Sequence, residues 1–407
     1  MRKGDLAAII DLNEKDDQIQ PLTAARPIGT LPFAGRYRLI DFPLSSLDHA
    51  NVRSVAIFLP KSGRSVTDHI RSGSTWNMDQ ITGGVFTYPY MAGRDYEDPQ
   101  LRARYFDDYL QFLRKSSAQY TIIMGTQNVA NVDIDAIVAY HQAGESPVTA
   151  VYKNLPEAAM QPEDLTLDMT ELGTASSVVP AAENRGHLKE GKIPAFMDIY
   201  LIGTIDLIDL LTDASEAPTF KRLPQIMREA VLQNNANAFE YTGFLAKLNT
   251  IKRYFDANMS MLEDQNYQAL LYSANSIETK NKNEIPTFFS TESHVANSLL
   301  GTGDFIEGEV NHSILFRNVH IHRDALVDHS IVMQGTKIGT GSSVKYAILD
   351  KGVIIGPNLA LEGTPEEPLV FAKNQKVFQP DGQGGDGPCL KYFLLQPKAR
   401  RFIKPGA

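Results

Sequence analysis

Short apolar runs alternate with amphipathic stretches through the first two-thirds of the chain. Leu6–Ile10 (LAAII), Val52–Leu59 (VRSVAIFL), Tyr120–Met124 (YTIIM) and Pro147–Tyr152 (PVTAVY) read as buried strands. Between the last two, NVDIDAIVAYHQAG sets Ile134, Ile137, Val138 and His141 on one helical face. Asp133 can accept from the free amides at that helix's start, and Gly144 can take a left-handed turn at its end. Strand, helix, strand in this order predicts a parallel sheet with a right-handed crossover. Two later helices follow the same logic. Ile226, Met227, Ala230 and Val231 share one face, and Ile251, Tyr254, Phe255, Met259 and Leu262 share another, with Thr250 as N-cap. These apolar residues read as core.

After about Asn275 the pattern changes. NSIETKNKNEIP is polar and ends in proline, which predicts a linker over 275–290 between a domain at 1–274 and a second at 291–407. In the second, aliphatic residues recur every six positions: Ile321, Val327 and Met333, then Ile338 and Val344, then Ile348 and Ile354. A six-residue step fits a prism-shaped solenoid whose aliphatic residues point inward, so a parallel β-helix is predicted, followed by a C-terminal tail. Such a solenoid can carry an acyltransferase site. Behind a catalytic-looking domain it more often serves structure and oligomerisation.

Composition narrows the function classes. With 407 residues, 43% hydrophobic and 21% charged, the chain reads as a two-domain globular protein. A net charge of −9 argues against a general nucleic-acid binder, yet leaves room for a local basic pocket. The lone Cys389 forbids an intramolecular disulfide and a cysteine-rich zinc site, which fits a cytoplasmic protein. No window reads as a membrane span. The pair His320 and His322 could share a strand face, but two histidines without a third ligand rarely hold a metal.

The first loop poses the sharpest question. After a first parallel strand, phosphates usually meet a glycine-rich loop and a helix start. Here the loop is Asp11-Leu12-Asn13-Glu14-Lys15-Asp16-Asp17-Gln18, with no glycine. Its side chains block close backbone approach, and its acids repel phosphate.

The segment RPIGTLPFAGRYRLIDFPLSS, Arg26 to Ser46, closely resembles one in ADP-glucose pyrophosphorylases. GSTWNMD, GGVFTYPY, FDANMSML, VNHSILF and DHSIVMQGTKIG resemble further segments of that family, to about residue 357. The resemblance implies an α/β fold: a Rossmann-like nucleotidyltransferase domain of GT-A-like type, then a left-handed parallel β-helix. It also implies adenylyl transfer from ATP to glucose 1-phosphate with Mg²⁺. The departures fall at that chemistry. The family's first loop reads LAGGxGxRL. Its metal-binding GDH aspartate is matched by Thr126, and the aspartate of W-K-D-V-G-T-I by Lys247, whose charge could take the metal's electrostatic place. The S-M-G-x-Y motif becomes Phe196-Met197-Asp198-Ile199-Tyr200, the lysine of A-K-P becomes Arg26, and the glutamate-lysine-proline motif has no match between Thr174 and Lys192.

Several losses in one site, on a retained scaffold, resemble the catalytically degenerate regulatory partner of the bacterial enzyme in glycogen biosynthesis. That implies little or no catalysis and no catalytic residues, metal or cofactor of its own. ATP and Mg²⁺ would serve a catalytic paralogue in a mixed tetramer. A phosphorylated sugar is the implied effector, with Arg38 and Arg36 as its candidate ligands. Thr23-Ala24 stands where some relatives have lysine-arginine, so that site is partial. Arg36 and Arg38 read equally as structural or interface residues, the basic KARRFIKPG as a solvated tail, and Trp76 as packing or a subunit contact. Two alternatives remain open. One is an active adenylyltransferase using Asp11, Asp133 or Asp198 for metal. The other is a sugar-phosphate-sensing homo-oligomer.

Overall fold

The computed structural model describes residues 5–80, 83–89, 99–184, 191–273 and 275–379. The chain divides into two units, Met1–Asn283 and Glu284–Ala407. The division falls inside the polar stretch 275–290. Part of that stretch is fastened to the first unit: the Glu278 carbonyl accepts from Trp76 Nε1 at 3.2 Å, and its amide donates to Ser45 Oγ at 2.8 Å. Trp76 is fully buried, so its role is packing within this unit.

The elements of the first unit that position the site are β1 (Leu6–Asp11), α1 (Asp41–His49), β2 (Ser54–Phe58), α2 (Arg64–Ile70), β3 (Gly84–Tyr88), α3 (Pro99–Ser116), β4 (Tyr120–Met124) and α4 (Ile134–Ala143). They continue with β5 (Val148–Pro156), β6 (Leu165–Met169), β7 (Ala175–Pro180), β8 (Lys192–Gly203), α5 (Thr204–Glu216), α6 (Leu223–Asn234), β9 (Asn237–Glu240) and α7 (Ile251–Met259). The described strands form a nine-stranded sheet in the order β7-β6-β8-β4-β1-β2-β3, with β5 pairing β8 and β9. β4, β1, β2 and β3 run parallel. β1 is buried on both faces: Ala8 and Ile10 join one core cluster, Ala7 and Ile9 the other. That explains its unbroken apolar run.

One expectation needs correction. β4 and β5 do run in the same direction, but they are not neighbours. β8 lies between them, antiparallel to both. Its two faces are apolar, with Ile193–Met197 and Ile199–Ile202 almost wholly buried, which suits a central strand. The α4 cap forms as expected, Asp133 accepting from Ala136 N at 3.0 Å, and Thr250 caps α7 through Arg253 N at 3.1 Å. Gly144 is not left-handed; its φ is −85°. Its smallness instead admits the Asn237 amide, which lies 2.5 Å from where a Cβ would stand.

The second unit is a left-handed β-helix of three parallel strand stacks. Its inward residues sit in register: Val310, Val327, Val344 and Leu361 in one stack, Ile306, Ile321, Ile338 and Ile355 in another. Ser313 and Ser330 bind the amides of Ser330 and Ala347 seventeen positions on, which fixes the coil length there. The predicted series holds except at its end. Ile354 is half-exposed and Ile355 points inward, because the coil keeps its seventeen-residue spacing from Ile338, which leads to Ile355 and not to the position six after Ile348. Among the described residues no helix is long and apolar enough to cross a membrane. Cys389 and KARRFIKPG lie outside the described residues.

Candidate functional site

Ligands of open α/β sheets sit beyond the carboxyl ends of the strands. In this chain the loop after β1 folds into that place and binds it. Leu12 joins the core, and its amide donates to the Phe58 carbonyl at 3.0 Å. Asp11 accepts from the backbone and side-chain amides of Asn13 at 2.9 and 2.8 Å. Glu14 then reaches across to the end of β4. Its Oε1 accepts from the amides of Thr126 at 2.5 Å and Gln127 at 2.9 Å. Its Oε2 accepts from Thr126 Oγ1 at 2.6 Å. Gln127 answers by donating to the Lys15 carbonyl at 2.8 Å. Two successive backbone amides are the usual recognition element for an anion. Here a side chain of the protein occupies them.

Asp198 approaches the same point from β8. The strand's register slips between Phe196 and Tyr200, and Asp198 sits on that bulge with φ +57°. Its carboxylate lies 2.8 Å from where Gly125 would carry a Cβ, and Glu14 Oε1 lies 2.9 Å from it. A Cβ at position 125 would push at least one of these carboxylates aside. Burial raises the Glu14 carboxyl to about 7 against its three hydrogen bonds, and the Asp198 charge adds to the rise. Burial also raises Asp198 and Asp11. Three acids with weakened tendency to ionise therefore gather at the strand ends.

Lys247 lies beside them, since its backbone pairs with Asn128 and the Leu248 amide donates to the Gln127 carbonyl at 2.8 Å. Its positive charge favours the ionised form of Asp198, against the effect of burial. Its ammonium bonds Asp164 at 2.8 Å, and Arg253 bonds the same carboxylate through two nitrogens at 2.9 and 2.6 Å. Burial would push Asp164 up, but the Arg253 and Lys247 bonds outweigh it and hold the carboxyl at about 2. This pair of cations on one buried acid was not legible in sequence. Asp164 precedes its partners by 83 and 89 positions, and no local pattern marks any of the three.

The candidate residues thus separate. Thr126, Asp198 and Lys247 do come together at the end of β4. Arg26 is buried, its Nε donating to the Leu22 carbonyl at 3.0 Å. Arg38 anchors a different place. Its amide donates to Asp41 at 2.9 Å and its guanidinium to the Ser65 carbonyl at 3.1 Å. Arg36 is exposed, 3.5 Å from Asn281 Oδ1 and 6.0 Å from the centre of the Tyr37 ring. Lys280 is pushed below its ordinary value by burial and by the charges of Lys282, Arg71 and Arg38, against the opposing charge of Asp68. His69, bonded to Asp41 at 2.5 Å, is pushed down by burial, with Arg38 and Lys280 acting the same way.

The cleft residues do not fit a magnesium-bound triphosphate. The loop is free of glycine, Glu14 holds the two amides at the end of β4, and the Thr126 hydroxyl and the paired Lys247 ammonium stand there in place of carboxylates. Asp133 is spent as a helix cap. Among the described residues of this cleft, no three His, Cys, Asp or Glu side chains bring ligand atoms within 4.8 Å of one another.

Residues 15–162 match the nucleotidyl transferase family, and residues 287–367 the GlmU-like C-terminal hexapeptide family. The chain is 32% identical to the glycogen biosynthesis protein GlgD of Bacillus subtilis (strain 168) over 373 residues, 92% of this chain and 97% of that one. The chain belongs to the GlgD family. GlgD of Geobacillus stearothermophilus is 31% identical over 90% of this chain and 96% of its own. A glucose-1-phosphate adenylyltransferase of Bacillus cytotoxicus is 26% identical over 80% and 86%. In this GlgD-family chain the nucleotidyl transferase match opens at Lys15, directly after the glutamate that fills the cleft.

Proposed function

We propose that this GlgD-family chain is a regulatory subunit in glycogen biosynthesis, with little or no adenylyl transfer of its own. It would assemble in the cytoplasm with a catalytic glucose-1-phosphate adenylyltransferase paralogue, as a mixed tetramer, and raise or tune that partner's output. ATP and Mg²⁺ would be used by the partner. The observation that carries this reading is the Glu14 clamp. A carboxylate on the Thr126 and Gln127 amides competes directly with a phosphate for them. Binding a triphosphate there requires expelling Glu14 and placing new negative charge beside Asp198 and Asp11.

A phosphorylated sugar is the proposed effector. Arg38 is its proposed ligand, because its charge acts on Lys280 together with those of Lys282 and Arg71. Arg36, exposed beside Tyr37, is the weaker candidate. The test is ADP-glucose synthesis by the catalytic paralogue with and without this chain, across a titration of sugar phosphates. A gain in output or a shifted effector response in the mixture supports the reading. An unchanged partner contradicts it. Arg38→Ala should reduce the effector shift while leaving assembly intact.

A further inference from the structure

The β-helix carries a feature that neither the family matches nor the proposed regulation assigns. At one edge, each coil turns just after the strands His294–Ala296, Glu309–Asn311, Leu326–Asp328 and Ser343–Lys345. The turning residues are Asn297, His312, His329 and Tyr346, all left-handed, with φ of 39°, 42°, 44° and 47°. Parallel pairing of Asn311 with Asp328 and of Asp328 with Lys345 sets these corners above one another. The rings therefore stack. His312 and His329 are parallel within 2° at 4.8 Å between centres, and His329 lies 5.0 Å from Tyr346. Asp328 Oδ1 is 2.8 Å from His329 Nδ1.

Ligand atoms of His312, Asp328 and His329 all fall within 4.8 Å of one another. We propose that these three side chains bind one divalent transition-metal ion of the zinc class. Two imidazoles and a carboxylate are a donor set suited to such ions. Metal–ligand bonds of about 2.0–2.1 Å put tetrahedral donors roughly 3.4 Å apart. His312 is exposed and the other two are half-buried, so side-chain rotation can close the gap without moving the coil. Tyr346 supports one face of His329, and the short Asp328–His329 contact holds the carboxylate and the imidazole side by side as two donors to the same ion. Water would complete the shell. Lys345 is in register with Asp328, so a positive charge on the neighbouring coil opposes cation binding there.

The other histidine pair supplies the control. His320 and His322 are two residues apart, yet their rings cross at 68° with centres 6.4 Å apart. Glu307 is 3.5 Å from His322. That arrangement does not converge.

The experiment is isothermal titration of the full chain with ZnCl₂, repeated with Co²⁺ to read its visible absorption. Variants are His312→Asn, His329→Asn, Asp328→Asn and the control His322→Asn, each checked for folding by thermal melting. One ion per chain is expected, with affinity at least tenfold weaker in His312→Asn and His329→Asn, several-fold weaker in Asp328→Asn, and unchanged in His322→Asn. The Co²⁺ spectrum should be lost with either corner histidine. No zinc uptake by the native chain overturns the proposal. So does retention of native affinity by His312→Asn and His329→Asn, or loss confined to His322→Asn.

Discussion

The β-helix makes one contact many times, whereas the cleft of the first unit makes each contact once. In the β-helix, Val310, Val327, Val344 and Leu361 solve the same packing problem on successive coils. Position in sequence then predicts position in space. In the cleft, Glu14 meets Thr126 across 112 residues and Lys247 meets Asp164 across 83, and neither contact has a second copy. A repeat spreads its stability over equivalent layers. A singular site concentrates it, and can be retuned by a few substitutions while the sheet beneath persists.

The steepest test of that contrast is a charge inside the repeat. Val327→Asp buries an unpaired carboxylate in the fully enclosed coil interior and should cost about 4 kcal/mol or more, read by urea unfolding. Next comes the singular ion cluster. Asp164→Ala leaves Lys247 and Arg253 without their shared acid and should cost about 3 kcal/mol. Its pH signature has a definite sign. The Asp164 carboxyl is held at about 2, below its ordinary 3.8, so its contribution is fully present above pH 3.8 and is lost as pH falls toward 2. Acid melting curves of the native chain and the alanine variant should converge in that window.

Glu14 carries the opposite sign. Its carboxyl is raised from 4.5 to about 7, so the folded chain keeps a proton that the unfolded chain has released. Stability from this group therefore falls as pH rises from 4.5 to 7. Glu14→Gln removes the titration while preserving an acceptor for the two amides. It should flatten the melting temperature between pH 5 and 8, by the equivalent of about 1–2 kcal/mol once partial exposure is allowed for.

These effects also mark where the sequence was informative. The β-helix was readable because inward aliphatics recur at the step that its geometry requires. The Ile354 slip arose because a uniform six-residue count misses the seven-residue step from Ile348 to the inward Ile355, the same step that separates Ile331 from Ile338. The alternating strands of the first unit were readable, but β8 was not placed between β4 and β5, since pairing order leaves no periodic trace. Loss of the glycine loop was visible in Asp11–Gln18. What replaced it was not, because a carboxylate that repels phosphate and one that occupies its amides look alike in sequence. The stacked histidines escaped for a related reason: the eye goes to His320 and His322, two apart, while the coil brings together residues a full turn apart. The smallest expected effect follows from that. His322→Asn should shift stability by no more than about 0.5 kcal/mol.

The most direct test of the central claim is pyrophosphate release from ATP, Mg²⁺ and glucose 1-phosphate by this chain alone. With Glu14 on the Thr126 and Gln127 amides, little or no release above the enzyme-free background is expected. Turnover comparable to that of a catalytic glucose-1-phosphate adenylyltransferase would contradict the account, and would mean that the clamp opens and that metal is held by residues other than Thr126 and Lys247.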